Sequence, residues 1–175
     1  MESIEINTLR NVEDKPALFS KKGGELQISG PSLVELLRAV LDKGVPFRFR
    51  AKGFSMNPFI KDGDVITIFP LQGSRPRLGD VVAFTHPSTG GIAVHRVVGK
   101  KGSYFSIRGD NLPGGNETVS HKNLLGFVRN LERNGKNVFF GLGPERRLIA
   151  LSSRSSILPY LLSPIWRLIR PFFKR

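Results

Sequence analysis

Ile92-Ala93-Val94-His95-Arg96-Val97-Val98-Gly99-Lys100-Lys101-Gly102-Ser103-Tyr104-Phe105-Ser106-Ile107-Arg108 reads as two strands around a glycine-containing turn. β-Branched and aromatic side chains fill both arms, and such residues suit a pleated, half-buried surface. Side chains alternate along a strand, so Ala93, His95 and Val97 share one face and Val94, Arg96 and Val98 the other. A histidine is thereby held on a strand, beside small and apolar neighbours.

The same pattern extends outward in both directions. Further strands are expected at 47–51, 65–69, 81–84, 125–131 and 137–140, beside those at 92–98 and 104–108. Glycine-rich turns separate them, among them Lys61-Asp62-Gly63-Asp64 and Ser88-Thr89-Gly90-Gly91. Many short strands with such turns point to a mainly β fold, a sandwich or a coiled, partly closed barrel. Before the strands, Leu33, Leu36, Leu37 and Val40 recur at helical spacing and Gly44 supplies a stop, so one N-terminal helix is expected. The organisation that follows is a flexible arm over 1–24, one domain with its N-terminal helix over 25–145, and a basic, apolar tail over 146–175, short and helical or irregular.

Composition bounds the function. The chain has 175 residues and no cysteine, which removes disulfides, thiolate catalysis and zinc–cysteine sites. Lys and Arg number 27 against 14 Asp and Glu, a formal net charge of +13. Such an excess favours polyanions, either nucleic acid or an anionic membrane surface. Phe47-Arg48-Phe49-Arg50 interleaves aromatic and basic groups as a base-stacking surface would. Its position ahead of a serine-bearing loop makes it a strand leading into that loop instead, and no nucleic-acid partner is expected.

Residues 1–22 contain no apolar run, and no uninterrupted apolar stretch of about 18 residues occurs anywhere, so neither a signal segment nor a spanning helix is expected. The tail interleaves Ile157, Leu158, Tyr160, Trp166, Phe172 and Phe173 with Arg167, Arg170, Lys174 and Arg175, and Pro159, Pro164 and Pro171 interrupt it. That mixture suits an interfacial segment on an anionic membrane, or a tail docked on the domain itself. Peripheral membrane association or a cytoplasmic location is the expectation.

The chemistry-bearing segment is Lys52-Gly53-Phe54-Ser55-Met56-Asn57-Pro58-Phe59-Ile60-Lys61-Asp62-Gly63-Asp64-Val65-Ile66. A serine between a strand and a proline-containing turn can be held exposed at a strand end. A serine hydroxyl is a poor nucleophile near neutral pH and needs a base within hydrogen-bond reach. An imidazole, with a pKa of about 6.5, suits that task.

These pieces recur in a recognisable order: Gly53-Phe54-Ser55-Met56-Asn57-Pro58, Gly63-Asp64-Val65, Gly79-Asp80-Val81-Val82-Ala83-Phe84, His95-Arg96-Val97-Val98, and Gly109-Asp110-Asn111. In that order they resemble the signal peptidase I and LexA-type serine peptidase superfamily, across about half the chain. The resemblance implies a coiled β-domain, Ser55 as nucleophile and a base at His95. A histidine rather than a lysine there is similar to the endoplasmic-reticulum-type enzymes. It further implies hydrolysis of a peptide or precursor protein through an acyl-enzyme, with no metal or organic cofactor. Asp110 is the acidic residue that the resemblance points to as third member, and Glu117 is the alternative.

The chain departs from the family in three ways. Residues 112–118 lack the second Asp that Ser–His members often carry. Gly53 stands where many signal peptidases have a serine for the oxyanion, which leaves backbone N–H groups for that task. No N-terminal anchor is visible. Asp64 and Asp80 match acidic family positions but read as turn and strand-end residues. Two rivals follow: an inactive peptide-binding module of the same fold, and a self-cleaving LexA-like regulator. The second would need a helix-turn-helix domain, an Ala-Gly cleavage site and a lysine base, and His95 stands in the base position.

Overall fold

The computed structural model describes residues 19–22, 25–28 and 30–154. The first expected segment therefore lies mostly outside the described residues, as does the tail beyond 154. Strands β1 (Phe19–Lys22) and β2 (Glu25–Ile28) form a separate antiparallel hairpin. Helix α1 (Gly30–Asp42) follows. It stops because Gly44 adopts a left-handed φ of 77° and returns its N–H to Leu41 O at 2.9 Å, with Val45 N–H reaching Val40 O at 3.3 Å. Val34, Leu37 and Leu41 are its buried face, whereas Leu36 is 41% exposed. The stripe is thus centred one position later than Leu33, Leu36, Leu37 and Val40 suggest. Leu33 instead borders a cleft described below.

The main body is a mainly β, antiparallel sheet of eight strands that is not closed into a barrel. Its strands are β3 (Phe47–Arg50), β4 (Val65–Pro70), β5 (Val81–Thr85), β6 (Ile92–Lys101), β7 (Tyr104–Arg108), β8 (Glu117–Ser120), β9 (Leu124–Arg133) and β10 (Lys136–Asn137). The order is β3-β4-β9-β5-β6-β7-β8, with β10 paired to β9. The seven expected strands are present, although the last shrinks to two residues. Strand β8 is additional, and helix α2 (Arg146–Arg154) forms the start of the tail expected to be helical or irregular. Helix α2 packs against β6 through buried Ile149, Ala150 and Ser153, so the start of the expected tail belongs to the domain.

Two apolar clusters cover the two faces of the sheet. Val81 and Ala83 join α1, β4 and Met56 in one cluster. Val82 and Phe84 join Val97, Phe105, Ile107, Val119 and Phe127 in the other. Alternation along β5 sends successive side chains to opposite clusters, which is why four consecutive residues are all buried. Residues from β5 to β9 meet in the second cluster, so the β7–β8 end must curl over that face. Register shifts at Thr67/Ile68, Ala83/Phe84 and Val97/Gly99 supply local bends of the kind such curling requires. Phe47 and Phe49 turn inward onto the first cluster, and Arg48 outward to Glu132 at 2.7 Å.

Gly126 marks the tightest crossing, where β9 lies between β4 and β5. A Cβ there would overlap the Phe69 carbonyl oxygen and come within 2.6 Å of Ile68 Cγ2. Gly126→Ala is therefore expected to lower stability by about 1–3 kcal/mol, the usual cost of overpacking. Gly114→Ala, with open space around it, should stay within about 0.5 kcal/mol of the parent. Urea titration of both variants checks this, and equal midpoints would contradict the crowding at Gly126.

Candidate active site

Ser55 lies on the loop between β3 and β4, and the loop is anchored on both sides of it. Met56, Phe59 and Ile60 are buried, while Phe54 is turned outward. Hydrogen bonds from Phe59 N–H and Ile60 N–H to Met56 O coil the segment after the serine. At its base, Gly53 N–H donates to Asp62 Oδ1 at 2.8 Å. Gly53 holds φ at 93°, a conformation that a serine would adopt only with strain. A serine at this position is thus disfavoured for a backbone reason.

The far end of the loop is fixed by Asp64. Its carboxylate accepts Lys61 N–H at 2.7 Å and the fork of Arg133 at 2.9 and 2.7 Å. Arg133 also donates to Phe59 O at 3.0 Å. Burial alone would push this carboxyl up, but Arg133 and the Lys61 N–H hold it below its ordinary range. Asp80 likewise closes a turn by accepting Arg77 N–H at 2.8 Å. Both therefore stand as turn and strand-end residues.

His95 and Arg96 are neighbours on β6 and point to opposite faces. The Arg96 side chain is fully buried. Its fork grips Asp110, with Nε to Oδ1 at 2.9 Å and Nη2 to Oδ2 at 2.7 Å. Its Nη1 donates to Gly79 O at 3.0 Å and Gly141 O at 2.9 Å, and its guanidinium lies over the Phe59 ring. From α2, Ser153 Oγ donates to Asp110 Oδ1 at 3.4 Å.

The turn carrying Asp110 also holds the Ser55 loop. Asn111 N–H donates to Ser55 O at 2.8 Å, and Asn111 Nδ2 donates to Phe54 O at 3.2 Å. Gly109 permits the approach, since a Cβ there would stand 2.7 Å from Ser55 O. Gly-Asp-Asn is thus a clamp: the glycine gives clearance, the aspartate holds Arg96, and the asparagine holds the two carbonyls beside the serine.

Asp110 is accordingly engaged with Arg96 rather than with the imidazole. The carboxylate beside His95 is Glu117, on β8, whose Oε1 lies 2.9 Å from Nδ1. The oxygen stands out of line with the N–H, so this is a close charge contact rather than a well-formed hydrogen bond. Burial lowers the pKa of His95 below its ordinary value, and Glu117 and Asp110 oppose that shift only in part. Glu117 was the alternative in sequence. The signal that could have favoured it is Glu117-Thr118-Val119-Ser120, a short β-prone run just after Gly114-Gly115. His86 lies near the same carboxylate, with Nε2 at 3.4 Å from Glu117 Oε2. His121 is remote and stacks beside Phe105.

Ser55 and His95 line one cleft of about 510 Å³. Gly53, Met56, Ile60, Ile92 and Val94 form much of its wall. One rim is β3, which among the described residues pairs with β4 only. The other is the first half of β6: residues 92–95 pair with β5, and β7 joins only from Arg96 onward. Two strand edges without a pairing strand among the described residues therefore face the cleft. The Ser55 hydroxyl has no hydrogen bond among the described residues. No group of three or more His, Asp or Glu among the described residues is arranged to hold a metal ion.

Removing Asp110 should be a folding lesion first. Asp110→Ala leaves a fully buried guanidinium without its counter-ion, and such uncompensated charges cost about 3–5 kcal/mol. Urea titration should show a large fall in midpoint, and a parent-like midpoint would remove Asp110 from its structural role. No family model matches this chain, and no curated protein resembles it closely enough to count as a match.

Proposed function

We propose that the protein is a serine peptidase of the signal peptidase I and LexA type, with Ser55 as nucleophile and His95 as general base. The observation that carries this reading is the meeting of Ser55 and His95, distant in sequence, in one cleft rimmed by unpaired strand edges. The finer fold assignment, a coiled and partly closed barrel of that superfamily, rests on the motif order together with the curled sheet.

An extended peptide would lie between β3 and the first half of β6 and complete the backbone pairing of both. His95 Nε2 takes the Ser55 proton as the hydroxyl attacks the scissile carbonyl. The acyl-enzyme forms, the amine leaves with that proton, and His95 then activates water to release the acid. Glu117 keeps the imidazole oriented and balances the imidazolium charge. Asp110 acts one step removed, by fixing Arg96 and the Ser55 loop. The substrate is a peptide or precursor protein, and association with an anionic membrane would come through the tail. No helix among the described residues is long and apolar enough to cross a membrane.

One observation favours a second reading, an inactive peptide-binding module: the Ser55 hydroxyl makes no hydrogen bond to His95. Catalytic hydrogen bonds often tighten only when substrate is bound. An acylating serine probe separates the two readings, since only the enzyme is labelled at Ser55.

Hydrolysis of a signal-peptide-like library in detergent micelles tests the chemistry. Ser55→Ala and His95→Ala should each reduce kcat/KM by about 10³-fold or more with folding intact. Cleavage that survives Ser55→Ala would remove that residue as nucleophile. The pH profile has a definite sign. The neutral imidazole is the base, so kcat/KM is full above the folded-state pKa of His95 and falls as pH drops through it. Because burial depresses that pKa, the acid limb should be centred below about 6.5. A limb centred above that value would contradict a buried His95 as base.

A further inference from the structure

The proposed reaction leaves His86 unused, yet its ring is placed by the turn between β5 and β6. His86 N–H donates to Gly91 O at 2.8 Å, and Gly90 N–H donates to His86 O at 2.9 Å, which closes the turn. Ser88 N–H donates to His86 Nδ1 at 3.3 Å. A ring nitrogen that accepts a hydrogen bond does not carry the proton, so the neutral ring carries it on Nε2. That Nε2 faces Oε2 of Glu117 at 3.4 Å, while Oε1 faces His95 Nδ1 at 2.9 Å.

Glu117 therefore stands between two imidazoles and offers one oxygen to each. The Phe84 ring lies beside both histidines, at 6.3 Å from His86 and 5.6 Å from His95. Oε2 is buried and has no closed hydrogen bond, so it needs a donor for compensation. His86 Nε2, at 3.4 Å, is a donor in reach. Asp110, the other carboxylate whose charge reaches His95, is already held by Arg96.

We propose that His86 is a positioning residue: its Nε2–H holds Oε2 of Glu117, which keeps Oε1 on Nδ1 of His95 and leaves His95 Nε2 free to take the Ser55 proton. The consequence for catalysis rests on the peptidase reading above, but the coupling between the two rings does not. Without His86, the carboxylate must turn toward water to satisfy Oε2. Nδ1 of His95 then loses its fixed acceptor, and the neutral ring divides between its two tautomers.

Imidazole ¹⁵N NMR of the full chain at about pH 8, where an imidazole is neutral, reads this directly. The parent should show the His95 proton on Nδ1. His86→Ala should show mixed tautomers, and His86→Gln should restore the parent pattern because its amide supplies an N–H donor. His86→Phe keeps a ring without a donor and should behave as His86→Ala does, which covers the case in which the alanine variant fails to fold. In hydrolysis, the donor-free variants should lose roughly tenfold in kcat, the scale of one hydrogen bond to a charged group, with KM unchanged. Neither should lose more in a Glu117→Gln background. An unchanged His95 tautomer in the donor-free variants overturns the proposal. If the parent hydrolyses nothing, the peptidase reading fails while the tautomer result still decides the role of His86.

Discussion

Arg96 and Asp110 form a fully enclosed ion pair, and the geometry of the candidate site depends on it. A buried guanidinium has a heavy desolvation cost, which is offset only when its donors are met by good partners. Here they are met by Asp110, Gly79 O and Gly141 O. Those partners come from the turn after β7, the turn before β5 and the segment leading to α2. The pair thus ties several non-adjacent pieces of chain to β6. His95 is the next residue on that strand, and Asn111, the next residue after Asp110, holds the Ser55 carbonyl. The separation of the Ser55 loop and the His95 strand is therefore set through one electrostatic contact.

Three carboxylates around the site do different work because their surroundings differ. Asp64 faces Arg133 and a backbone N–H and closes the loop. Asp110 faces Arg96 and is sealed from solvent. Glu117 alone faces imidazoles and keeps partial contact with water. A carboxylate locked onto an arginine has its charge largely spent on that arginine. The carboxylate that can respond to an imidazolium is the one with no guanidinium of its own.

Much of the fold was legible in the sequence. Residues 81–84, 92–98 and 104–108 carry β-branched and aromatic runs bounded by glycine turns, and the strands lie there with only their ends extended. The alternation that placed His95 and Arg96 on opposite faces also holds. Strand β8 was missed because four residues after Leu112-Pro113-Gly114-Gly115 give too short a pattern against so strong a loop signal. The tail was open to a helix or an irregular path, and the bounds of helix α2 were hidden because its buried side is Ile149, Ala150 and Ser153 in an apolar, basic stretch. The partner of His95 was harder for a different reason. Which carboxylate meets which cation depends on how the sheet curls, and Asp110 and Glu117 are both close to β6 once it does. Local patterns record propensity and period, and neither carries that pairing.

The same curl sets the electrostatics of the His95 ring. Arg96 and Asp110 cancel one another, so they add little net charge behind β6. Nearest to His95 are the partly wet carboxylate of Glu117 and the ring of Phe84, with His86 on the far side of that carboxylate. Burial favours the neutral imidazole at rest, which is the form able to accept a proton. Glu117 favours the imidazolium that would appear once the proton has moved. The two effects act on different states of the ring, so a neutral ring at rest and a stabilised protonated form can coexist at one site. A lysine in the same place would need far stronger desolvation to be neutral at rest, because its ordinary pKa lies about four units higher. With Glu117 alongside, that desolvation would be opposed at the very group it must neutralise.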